Sequence, residues 1–276
     1  QTSVKLLAAD KTFKDFLTSQ NAERMQGYEE KFSQAQNDFS SALGQLSEIS
    51  KGNPVLNSQL TKLLALEDRY FSESHQAMEN YRTQLGAQQE RQQSVRRFQQ
   101  LQTELRVGMK EYINNQDNIV VKLMAKSYFV KLKQTETITS DALASDNIEI
   151  ITKAVKDNKR SVTRLNYAYK GLIAQLPSLK DTFDKSVAQF TLDIGKKRGV
   201  LDQHFSYVEA TNRLYANISV LVGEIDQAML ILETFRTEAD QLMQDAIQRA
   251  DKSYADGYTQ ASIMGALVIS FVMFLG

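Results

Sequence analysis

The sequence predicts an all-α fold: two stacked four-helix bundles built from two long and four short helices, followed by the start of a transmembrane helix. The first observation behind this is periodic. Apolar residues recur at spacings of three and four almost throughout, as they do on one face of a helix. The second is the scarcity of breakers, with two prolines and 12 glycines in 276 residues, which leaves room for very long helices. The third is the stretch from Ala261 to Gly276, which carries no charge.

Six helices follow from the turn signals. Helix 1 runs from about Ser3 to Ser19, with Leu6, Leu7, Phe13, Phe16 and Leu17 apolar. Asn21 supplies an N-cap for helix 2, whose stripe is Met25, Tyr28, Phe32, Ala35, Phe39, Ala42, Leu46 and Ile49. Lys51-Gly52-Asn53-Pro54 is the strongest stop signal in the chain. Helix 3 then runs from Val55 to Asn114 without a proline, a span of roughly 90 Å at 1.5 Å per residue. Helix 4 carries Val120, Leu123, Val130 and Ile138. Helix 5 follows a turn at Ala144–Asn147 and ends at Pro177. Helix 6 runs from Leu179 to the membrane segment as one rod of roughly eighty residues, with Gly195, Gly199, Gly223 and Gly257 as its weak points.

Antiparallel neighbours joined by short loops need matched lengths. Helices 1 and 2 match one half of helix 3, and helices 4 and 5 match the other. The expected organisation is therefore a sensor-like body over 1–260, with a membrane-proximal module of 1–87 plus 208–260 and a membrane-distal module of 88–207. Residues 261–276 read as a transmembrane helix cut short, since a spanning helix needs roughly 20 apolar residues. The opening residues read as a helix already under way, preceded by a further segment. Leu17, Ser19 and Asn21 recur as Leu143, Ser145 and Asn147, a weak internal repeat that gives both hairpins a similar turn.

Thirty-three basic residues balance 33 acidic ones, so the chain has no electrostatic footprint for nucleic acid. The Gln/Arg-rich stretch from Gln88 to Gln102 has a single aromatic, Phe98, and reads as a solvated helix face. No cysteine is present, which excludes disulfides and thiolate chemistry. His75 and His204 lie far apart and read as surface or boundary histidines, so no catalytic residue, metal site or cofactor is expected.

Two long and four short helices, hairpins turning at FLTSQN (16–21) and ALASDN (142–147), and a terminal membrane helix resemble the helical bimodular sensor domain. That domain occurs in bacterial chemoreceptors, the methyl-accepting chemotaxis proteins, and in related sensor histidine kinases. The stretch FDKSVAQFTLDIGKKRGVLDQH (183–204) also resembles the start of the family's last long helix. The resemblance implies a homodimer anchored in the bacterial inner membrane, with this region in the periplasm and a signalling output in the cell. Some members bind C4-dicarboxylates through an arginine pair on helix 1. Here the corresponding turns, Ala8 to Lys14, hold Lys11 and Lys14 and no arginine, so that ligand does not carry over.

Polar residues on apolar stripes mark candidate sites, because burying them costs energy unless they meet a partner. In the proximal module these are Lys11, Lys14, Arg69, Tyr70, Ser74, Asn212 and Tyr215, with Asn212 placed inward by the stripe Phe205, Val208, Tyr215, Ile218. In the distal module they are Gln134, Thr137, Asn158, Lys197 and Arg198. Each set reads as a pocket for a small organic acid, amino acid or amine; each also reads as snorkelling lysines and a register-fixing polar layer. The function expected is ligand sensing in a chemoreceptor. The alternative is the sensor of a histidine kinase that reads a ligand or a periplasmic binding protein. No enzyme is expected within these residues.

Overall fold

The computed structural model describes residues 1–195 and 197–256, with side chains described as far as residue 250. Among them there is no strand. Eight α-helices follow in order: α1 (Thr2–Thr18), α2 (Ala22–Ser50), α3 (Pro54–Thr103), α4 (Met109–Asn114), α5 (Ile119–Leu143), α6 (Ile148–Gln175), α7 (Ser178–Gly195) and α8 (Val200–Asp256). A π-helical turn, Glu104–Gly108, joins α3 to α4, so the expected helix 3 runs on from Pro54 to Asn114 with one widened turn.

Local chemistry sets most helix ends. The Asn21 side chain accepts from the backbone N–H of Arg24 at 2.9 Å. Asn53 accepts from Val55 and Leu56, Asn118 from Val120 and Val121, and Asn147 from Glu149. Each bond satisfies an amide that a helix N-terminus leaves orphaned. Gly52 takes the left-handed conformation, φ 84°, that lets α2 stop and Pro54 open α3.

The expected single helix 6 is two helices. The chain breaks between α7 and α8, where Arg198 sits at φ 64° and Asp202 accepts from its backbone N–H at 2.8 Å. A non-glycine residue rarely adopts this backbone, and the carboxylate of Asp202 anchors it. Just before the break, a Cβ on Gly195 would meet the Val162 side chain at 3.0 Å, so glycine lets α7 close tightly onto α6.

The chain divides into two compact units, one of Gln1–Glu79 with the chain from Tyr215 onward, the other Asn80–Leu214. Both boundaries fall inside helices, in α3 and in α8. The first unit packs α1 and α2 with part of each long helix. Its centre is aromatic: Phe32 meets Phe13 at 6.2 Å, Phe71 at 5.4 Å and the His75 ring at 5.4 Å between centroids. The second unit buries Phe98, Leu105, Met109, Tyr128, Leu165, Leu172, Phe183 and Phe190 among others, with Phe98 and Phe190 stacked at 5.7 Å. In α8 the seam Leu214, Leu221, Ala228, Phe235 is buried, a seven-residue repeat of the kind that keeps one face turned inward over many turns.

No helix among the described residues is long and apolar enough to cross a membrane. The expected transmembrane run 261–276 lies outside the described residues.

Candidate functional site

In the first unit, Tyr70 and Ser74 are buried on α3, four residues apart and so on one face. Among the described residues neither hydroxyl meets a partner outside this pair. Burial pushes the Tyr70 phenol well above its usual pKa, and the nearby Asp10 carboxylate adds to that. The cations expected beside them are exposed. Lys14 donates to Asp10 at 2.6 Å and Arg69 to Glu224 at 3.2 Å, while Lys11 stays in solvent. Tyr215 is 65% exposed. Asn212 is exposed too and falls in the second unit. Of the stripe expected through Phe205, Val208, Asn212, Tyr215 and Ile218 only Val208 is buried, and α8 buries Ala210, Leu214 and Leu221 besides. Of the candidate set, only Tyr70 and Ser74 face the interior, and two of its three cations are already neutralised by the protein's own carboxylates.

In the second unit, Asn158 is fully buried and donates to the Thr139 hydroxyl at 2.9 Å, while its own carbonyl oxygen has no partner among the described residues. Lys197 and Arg198 are exposed beside the α7–α8 break. Gln134 and Thr137 are exposed as well, because α5 turns a different face inward. Its buried line is Val121, Ala125, Tyr128, Leu132, Thr135, Thr139 and Ala142. The expected apolar face is in solvent, with Leu123 67% and Val130 63% exposed.

That outward turn of α5 builds a feature the sequence reading missed. An open groove of about 410 Å³ lies along the π turn, α4 and α5. Arg106 and Lys110 line one side, four residues apart; Lys122, Lys126 and Lys133 line the other. Among the described residues none of the five takes part in an ion pair. Ile113, Ala125, Phe129 and Leu132 supply apolar lining. Glu136 also lines the groove, is 5% exposed, and has its Oε1 without a hydrogen-bond partner among the described residues. Burial raises its pKa, while the Gln102 amide and the charges of Arg106 and Lys133 pull it back. The spacing of Lys122, Lys126 and Lys133 is legible in the sequence; that Arg106 and Lys110 face them is not.

A third polar cluster holds the second unit together. His204, expected at the surface or at a boundary, is 1% exposed. Its Nδ1 accepts from Arg91 Nε at 2.7 Å, and its Nε2 lies 2.9 Å from the Ser145 carbonyl oxygen. The ring therefore serves as a neutral imidazole protonated at Nε2. Arg91 also lies over the Tyr207 ring, 5.1 Å from its centroid. The cluster ties α3, α8 and the α5–α6 hairpin. Burial lowers the His204 pKa below its ordinary 6.5, and the charge of Arg91 adds to that against the pull of the Ser145 carbonyl and Asp146. Below pH 6.5 the unfolded chain takes up a proton that the folded chain resists. The stability contributed by His204 is thus complete above that pH and is lost as pH falls through the folded value. The melting temperature should drop between pH 7.5 and 5.5, and His204→Gln should flatten that part of the profile. An unchanged profile in the variant would remove His204 from the account.

Among the described residues no three His, Asp or Glu side chains group as metal ligands. No family model matches the chain, and no curated protein or solved structure matches it significantly.

Proposed function

We propose that this chain is the extracytoplasmic ligand-sensing region of a transmembrane chemoreceptor. In this reading its two units are the four-helix modules of a helical bimodular sensor, and a small molecule binds between helices. The observation that carries the proposal is the passage of α3 and α8 through both unit boundaries without interruption. A helix is stiff along its axis, so a change of packing in one unit is passed on within the same rod. A ligand that favours one packing over another shifts the population of the two. The unpaired cations beside α5 supply a place for such a ligand.

The test is a thermal-shift screen of organic acids, amino acids and amines on the folded chain. A true ligand at a hundredfold excess over its Kd adds about 2.7 kcal/mol, an upward shift on the order of 5 °C for a chain this size. A screen in which no compound moves the transition would overturn the sensor reading.

A further inference from the structure

We propose that the groove beside α5 binds an acidic amino acid, with its ammonium on Glu136 and its two carboxylates on the facing basic rims. This rests on the ligand-sensing reading above and adds to it both the place and the chemical class.

The charge arrangement selects the class. Five cations and one carboxylate meet in a single groove, so the complementary ligand is net anionic. Glu136 offsets part of the field of Arg106 and Lys133, but among the described residues none of the five cations is in an ion pair, so a net positive field remains for such a ligand. The rims stand on different helices, Arg106 and Lys110 on one side, Lys122, Lys126 and Lys133 on the other. A molecule with two carboxylates can engage both; one with a single charge can engage only one.

Glu136 then narrows the choice. It is 5% exposed, and among the described residues its Oε1 has no partner. A buried acceptor left unmade carries its full desolvation penalty, which is larger still when the group is charged. A plain dicarboxylate would leave that oxygen unmet and set a like charge beside it. An ammonium meets it with a charge-assisted hydrogen bond, the stronger kind. Two carboxylates and one ammonium on a short carbon skeleton describe an acidic amino acid. The apolar lining from Ala125, Phe129 and Leu132 accommodates the methylene groups, and about 410 Å³ lies within the usual range of small-molecule sites.

Calorimetric titration of the full chain with L-glutamate, L-aspartate, N-acetyl-L-glutamate and glutarate tests the assignment. One of the two amino acids should bind at least tenfold more tightly than the acetylated or amine-free compound. Glu136→Gln should remove that preference while leaving weak glutarate binding in place. A Lys126→Ala/Lys133→Ala variant should weaken every compound at least tenfold. Circular dichroism melts of each variant separate lost binding from lost folding. Equal affinity for glutarate and the amino acids, or affinity unmoved by Glu136→Gln, overturns the assignment to an acidic amino acid. Binding of all compounds untouched by the double lysine variant overturns the groove as the site. A different compound that stabilises the chain in the broader screen, with neither amino acid binding here, overturns this inference alone and leaves the sensor reading standing.

Discussion

Truncating Phe32 to alanine should lower the unfolding free energy by about 3–5 kcal/mol. Phe32 is fully buried on α2. Its ring faces Phe13 of α1 and both Phe71 and His75 of α3. Three helices therefore lose a common contact at once, and the loss has two parts: the transfer energy of the ring and the void left behind. The tilted and edge-on geometries add a smaller aromatic contribution that alanine also forfeits. Urea denaturation followed by circular dichroism measures the change. A loss below about 1 kcal/mol would mean that the site collapses around the void, and that the aromatic cluster does not organise the first unit.

Replacing Arg97 by methionine should cost about 3 kcal/mol, the low end for a pair whose carboxylate is buried and whose cation is part-exposed. Asp193 is 3% exposed on its side chain and receives the Arg97 Nε at 2.7 Å. Methionine keeps much of the arginine stem's packing but removes the charge, leaving Asp193 with the Gln189 amide at 3.0 Å. A buried carboxylate without its cation is the costly half of such a pair. The reverse change, Asp193→Asn, should cost less, because the Arg97 side chain is 43% exposed and keeps its water. The asymmetry is the diagnostic: equal losses in the two variants would place the carboxylate in better solvated surroundings than its burial indicates. A double-mutant cycle over the two positions isolates the coupling.

The helix ends were the most legible part of the fold. Asn21, Asn147, the Gly52–Pro54 stop and the Pro177 break act through hydrogen bonds and backbone angles confined to a few residues, so the sequence carries them directly. The faces were less legible. In α5, Val120, Leu123 and Val130 look like a buried stripe, yet the interior takes Tyr128, Thr135 and Thr139. A helix that is apolar on two sides offers two registers, and only its neighbours choose between them. In α8, the period through Phe205 and Asn212 competes with the seven-residue repeat from Leu214 to Phe235, and the longer repeat prevails. The α7–α8 break falls between two of the glycines that mark weak points in the sequence; that it is a full break follows from Arg198, whose backbone angle its residue type disfavours.

Pairing at the candidate sites is no more legible than the faces: Lys14 and Arg69 lie on apolar stripes in the sequence, and in the structure they pair with the chain's own carboxylates. The unpaired cations stand on helices whose meeting no period announces. His204 was hidden for another reason. Its burial follows from the partners offered by Arg91 and the Ser145 carbonyl, both far from it in the chain.

The widened turn at Glu104–Gly108 holds one residue beyond what an ordinary winding would carry. Expelling that residue would rewind the segment and turn α4, the rest of that rod, by roughly 100° about the axis relative to α3. Lys110 comes after it; Lys122, Lys126 and Lys133 stand on a different helix. The opening between the two rows of positive charge is thus geared to the local pitch of one rod, as the jaws of a vice are to its screw.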